Sequence, residues 1–123
     1  MRSDRENLIV ELSFKFALKI IKFSEVLEES KKYVVAKQVL KSGTSIGANV
    51  REAQNAESKA DFIHKLKIAA KEADETEYWL LLCEKSDSYP STQELRDELS
   101  SVIKVISKII GTTKRNEIKS TNQ

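Results

Sequence analysis

The chain has 123 residues, a length that suits one domain with its own core and no need of disulfides or a metal. One proline and three glycines leave too little turn material for a β sandwich or barrel. Charged residues make up 33% of the chain but the net charge is only +2, far below that of a dedicated nucleic-acid binder, so any basic surface must come from uneven placement.

Ser3–Asp4–Arg5–Glu6 has the spacing of a capping box and starts a helix predicted over about 4–29. Leu8, Leu12, Phe16, Ile20, Phe23 and Leu27 recur at three- and four-residue steps as its core stripe. Lys15, Lys19 and Lys22 interrupt the apolar stretch between Leu8 and Phe23, which excludes a signal peptide or membrane span there and makes the cytoplasm the expected location. After the short break Ser30–Lys31–Lys32, a second helix over about 33–54 carries Val35, Val39, Ile46 and Val50. So short a link makes the first two helices antiparallel neighbours.

Ser58 to Asp61 repeats the capping pattern in weaker form and opens a third helix over about 59–86, with Phe62, Leu66, Ala69, Ala73, Thr76 and Leu80 along one stripe. Ser86–Asp87–Ser88–Tyr89–Pro90 ends it. Ser91–Thr92–Gln93–Glu94 is the cleanest capping box in the chain and opens a fourth helix over about 92–110, buried through Leu95, Leu99, Val102, Ile106 and Ile109. Gly111 reads as its stop, and residues 112–123 as a polar, disordered tail. The expectation is an all-α, up-down-up-down antiparallel four-helix bundle over residues 1–111.

The unusual stretch is Ser42–Gly43–Thr44–Ser45–Ile46–Gly47–Ala48–Asn49–Val50–Arg51–Glu52–Ala53. Each glycine costs about 1 kcal/mol against alanine inside a helix, so the pair Gly43 and Gly47 implies close approach of a neighbour. That neighbour is another helix of the same bundle or a second subunit. Asn49 and Glu52 flank the apolar stripe one turn apart, where an asparagine would donate to a facing helix and set its register. Tyr78 and Trp79 are adjacent and point about 100° apart, so one enters the core and the other caps the bundle or meets a subunit boundary.

Catalytic chemistry finds little support. Glu72 and Glu75 repeat the spacing of Asn49 and Glu52, but a di-metal carboxylate site needs Glu-x-x-His motifs and the chain has none. His64 shares its face with Lys65, Lys67 and Lys71 and has no Ser or Cys partner, which reads as solvated surface. The lone Cys83 sits in an apolar run and reads as a buried, inert thiol. No catalytic residue, metal, cofactor or small-molecule substrate is expected.

The lysines fall on sides of helices: Lys15, Lys19 and Lys22 on the first, Lys37 and Lys41 on the second, Lys104 and Lys108 on the fourth. Lys114, Arg115 and Lys119 decorate the tail, while Glu72, Asp74, Glu75 and Glu77 gather in the third helix. The first seven form a candidate surface for RNA or DNA backbone. The alternative is a purely protein-binding adaptor.

The glycine–asparagine stretch, with Ser58–Lys59–Ala60–Asp61–Phe62, Lys71–Glu72–Ala73 and Glu77–Tyr78–Trp79–Leu80, resembles the 23S rRNA-intervening-sequence protein family of small bacterial four-helix bundles. The resemblance runs from about Phe16 to Ile110. Many relatives carry glycine where this chain has Ala53, so the joint after the second helix is expected a few residues on, toward Asn55. Similarity also links the family to an accessory protein of diversity-generating retroelements, a five-membered barrel of bundles with a basic surface for nucleic acid. The resemblance thus implies a homo-oligomer, a pentamer by that analogy.

Overall fold

The computed structural model describes residues 2–121, with the side chains of 120 and 121 left aside. They form four helices, α1 (Asp4–Glu29), α2 (Tyr33–Ala53), α3 (Lys59–Lys85) and α4 (Gln93–Thr121). Each helix packs on the next in chain order and α4 closes back on α1. The pairs α1/α3 and α2/α4 stand across the diagonals with no close backbone approach. This is the expected antiparallel four-helix bundle.

Its core follows the predicted periodicities with one shift. On α1 the buried stripe is Ile9, Ser13, Phe16, Ile20, Phe23, Ser24 and Leu27. Leu8 is 43% exposed, because the heptad steps through Phe16 and Ile20 extend back to Ile9 and turn Leu8 aside. Val39, Ile46 and Val50 of α2, Leu66, Ala69, Ala73 and Leu80 of α3, and Leu99, Val102 and Ile106 of α4 complete the core. Two buried hydroxyls join α2 to α3: Ser42 Oγ and Thr76 Oγ1 lie 3.0 Å apart, and Thr76 also donates to the Glu72 carbonyl at 2.7 Å.

The helix ends show which local signals survive packing. The Ser3 box forms in both directions, with Glu6 N–H donating to Ser3 Oγ and Ser3 N–H to Glu6 Oε2. α1 ends in a Schellman motif: Lys31 N–H donates to Glu28 O and Lys32 N–H to Leu27 O, with Lys31 at φ 64. α2 continues through the buried Ala53 and turns at Gln54 and Asn55, where the joint was expected.

The box at Ser91 does not form. α4 starts one residue later than expected, and the buried Thr92 hydroxyl lies 2.9 Å from the Leu80 carbonyl, tying α4 to the end of α3. Glu84 reinforces the joint by accepting from Thr92 N–H at 2.9 Å, with Arg96 3.5 Å away. The Thr92 backbone N–H holds the Glu84 carboxyl below its usual range; burial opposes it, and the Thr92 and Ser91 hydroxyls and Arg96 add to the lowering. A depressed carboxyl pKa stabilises the fold above the unfolded value, and that contribution disappears as pH falls through the folded value. Glu84→Gln is therefore expected to destabilise at neutral pH and to flatten the fall of the urea midpoint below about pH 4.5. An unchanged acid limb would disprove the assignment.

Gly111 does not stop α4. No glycine among the described residues has positive φ, so the left-handed cap is not made and the helix runs on to Thr121. Contact with α1 supports this extension: Arg5 Nη1 donates to Thr112 Oγ1 at 3.1 Å, and Thr112 and Thr113 are half-buried. The expected tail is thus helical, its residues 122 and 123 lying outside the described residues. A Cβ on Gly111 would meet only Arg115 Nη1, at 3.6 Å. Gly111→Ala is expected to stabilise by up to about 1 kcal/mol, visible as a higher urea midpoint at unchanged slope.

Candidate interaction surfaces

The two glycines of α2 face α1. A Cβ on Gly43 would fall 2.8 Å from Ile20 Cγ2, and one on Gly47 would fall 3.3 Å from the Ser13 carbonyl oxygen. Close packing inside the bundle therefore accounts for Gly43. Ile46, between them, is fully buried. Asn49 does not reach a facing helix: its Nδ2 donates to the Ser45 carbonyl of its own helix at 2.9 Å. The amide is long enough to satisfy itself one turn back, so no register-setting bond forms. Glu52 is exposed.

The seven nominated lysines do not share a surface. Lys37 and Lys41 are exposed on α2, and Lys104 and Lys108 on α4, across the diagonal. On α1, Lys15 pairs with Glu11 at 2.8 Å, and Lys19 pairs with Glu98 and, at 3.5 Å, with Glu94. The Glu98 bond lifts Lys19 above the usual lysine range, while Lys15 draws the Glu11 carboxyl down. Two of the three α1 charges are thus already matched by acids of this chain.

Apolar side chains give a clearer surface. Phe14, Leu18 and Ile21 of α1 are exposed, Phe14 by 60%. Beside them a groove of about 790 Å³ runs between α1 and α2, bounded by Val10, Phe14 and Ala17 on one side and Thr44, Gly47 and Ala48 on the other. A second apolar set, Tyr78, Leu81 and Leu82, is exposed near the end of α3. Trp79 turns inward against the core and meets Tyr78 edge-on at 5.6 Å. Its buried Nε1 has no hydrogen-bond partner among the described residues.

The fold has counterparts. The family model of the 23S rRNA-intervening sequence proteins matches residues 5–111. The chain belongs to that family. It is also similar to the crystal structure of a protein of unknown function from the S23 ribosomal protein family of Bacteroides thetaiotaomicron, at 42% identity and a TM-score of 0.82. That match covers 87% of this chain and 98% of the other. No curated protein matches.

In this 23S rRNA-intervening sequence protein the reactive side chains stand apart. His64 is exposed, and burial pushes the Cys83 thiol up to about 11, so little thiolate exists at neutral pH. No group of three or more His, Cys, Asp and Glu side chains suited to a metal gathers among the described residues. No helix among them is long and apolar enough to cross a membrane.

Two cationic contacts went unread in the sequence. Arg5 Nη1 and Arg115 Nη2 both donate to Thr112 Oγ1, at 3.1 and 3.2 Å. Lys67 of α3 faces Lys114 of α4 and holds it below the usual lysine range, one cation disfavouring the other. Lys67 had passed for solvated surface, Lys114 and Arg115 for a disordered tail, and Arg5 for part of the first helix start. Only the continuation of α4 past Gly111 brings them to α3 and α1, and no local spacing announces it.

Proposed function

We propose that the protein is a cytoplasmic, non-enzymatic bundle that assembles with copies of itself and acts as an interaction scaffold. The observation that carries this reading is the unpartnered apolar surface on α1, Phe14, Leu18 and Ile21 beside the α1–α2 groove. Exposed apolar groups collected into one stripe mark an association surface far better than the same groups scattered singly. A second exposed set on α3, diagonal to α1, favours a head-to-tail contact in which one surface of a copy meets the other surface of the next. Such heterologous contacts close into rings when the rotation permits. A five-membered ring is the form that the family resemblance suggests.

Light scattering tests the reading directly. The expected mass is a multiple of the 14.0 kDa chain, five copies for the favoured ring. Phe14→Glu and Tyr78→Glu are each expected to reduce it toward one chain while helicity is kept. A wild-type mass of one chain at working concentration would remove the proposal. RNA or DNA binding through Lys15, Lys19, Lys22, Lys37, Lys41, Lys104 and Lys108 has weaker support, because those positions are divided among surfaces and partly neutralised.

A further inference from the structure

Charge is sorted along α3 and α4, while α1 keeps Asp4, Glu6 and Glu11 toward the same end as Arg5. The first half of α3 holds Lys59, Lys65, Lys67 and Lys71 against the single acid Asp61. The second half of α4, which runs beside it, holds Lys108, Lys114, Arg115 and Lys119 against the single acid Glu117. Toward the other pole α3 turns acidic through Glu72, Asp74, Glu75 and Glu77, and α4 begins with Glu94, Asp97 and Glu98. A net charge of +2 conceals this separation.

At the basic pole cations are held together against their own repulsion, and this happens twice. Lys67 and Lys114 meet across α3 and α4, while Arg5 and Arg115 converge on one hydroxyl across α1 and α4. The ion pairs among the described residues involve Lys15, Lys19 and Arg96, and none of these four. Like charges this close weaken the fold unless an anion offsets them.

We propose that Lys67, Lys114, Arg115 and Arg5 form a band across the last turns of α4 that binds the phosphodiester backbone of a nucleic acid. α4 stands at the corner between α3 and α1, so the band wraps around it over about two interhelix spacings of surface, about 16–20 Å, which is room for several phosphates. Guanidinium forks and ammonium groups suit phosphate oxygens; the carboxylates beside Arg5 are Asp4 and Glu6, and Glu6 is engaged by the Ser3 backbone N–H. The exposed aromatic residues, Phe14, Tyr33 and Tyr78, lie on other segments, so no stacking platform accompanies the band. Recognition is therefore of backbone rather than base sequence. An acidic protein partner would need an apolar centre, and this stretch of α4 exposes one large apolar side chain, Ile118.

Fluorescence anisotropy with a short labelled single-stranded RNA, and with a DNA duplex, tests the band. Four phosphate contacts give an affinity that falls about a hundredfold between 50 and 200 mM salt. Lys67→Gln/Lys114→Gln and Arg5→Gln/Arg115→Gln are each expected to weaken binding at least about tenfold, and Lys37→Gln/Lys41→Gln to leave it unchanged. Lys114→Gln alone should raise the thermal midpoint while it lowers RNA affinity, an opposition that a purely structural lysine would not show. The proposal is overturned if neither nucleic acid binds at low salt, or if the α2 variant loses as much affinity as the α3–α4 variant. Equal competition by inorganic phosphate would reassign the band to small anions, and equal binding of polyglutamate would reassign it to acidic proteins. Either result ends the nucleic-acid proposal. Because these variants leave Phe14 and Tyr78 intact, their outcome is independent of assembly, which the mass measurement reads.

Discussion

Gly43→Leu is expected to lower the stability of the bundle by about 3 kcal/mol or more. The Cβ alone would stand 2.8 and 2.9 Å from two carbons of Ile20, and Ile20 is fully buried with nowhere to withdraw. α1 and α2 would have to separate along their shared seam. Domains of this size are stable by only about 5–15 kcal/mol, so a large share of the total is at stake. Urea unfolding followed by far-UV circular dichroism measures it. Gly47→Ala is the control: its Cβ meets the Ser13 carbonyl oxygen at 3.3 Å, and the gain in helix propensity of about 1 kcal/mol offsets the squeeze. Equal losses at the two glycines would show that α2 suffers from substitution in general and not from Ile20.

Thr76→Val is expected to cost about 1–3 kcal/mol through a group it leaves behind. Each hydroxyl has one proton. With the Thr76 proton on the Glu72 carbonyl at 2.7 Å, the fully buried Ser42 donates to Thr76 Oγ1 at 3.0 Å. Valine keeps the shape and removes the acceptor, so Ser42 is buried without a partner. Ser42→Ala removes the orphan, and the double variant is expected to recover most of the loss. A double-mutant cycle reads this as a coupling energy, and strictly additive losses would refute the relay.

The parts of the fold legible in the sequence were those set by neighbours one turn away. Core stripes from Phe16 through Ile20 to Leu27, the Ser3 box and the joint near Asn55 all depend on such spacings. The misread parts depend on distant partners. Ser91 fails as a cap because Thr92 is drawn to Leu80, on the preceding helix. Gly111 stays helical because Arg5, at the far end of the chain, braces Thr112. The lysines were assigned to helix sides, but nothing local revealed that Lys19 meets Glu98 or that Lys67 meets Lys114. Tyr78 and Trp79 were seen to diverge, and only packing decides that Trp79 goes inward.

One property of α2 reaches beyond its seam with α1. Thr44, Ser45 and Asn49, and Gln54 just past its end, each donate to the carbonyl four residues back, at 2.7, 2.7, 2.9 and 3.1 Å. Side chains that compete for backbone in this way, together with two glycines, make a segment with little helical tendency of its own. As a free peptide α2 would be largely coil, yet in the bundle it is flanked on both sides by close neighbours. Its order is borrowed from α1 and α3, so it has no partly open state to visit alone. Amide hydrogens in the middle of α2 should therefore exchange only when the whole molecule unfolds, while those near the end of α4 exchange by fraying.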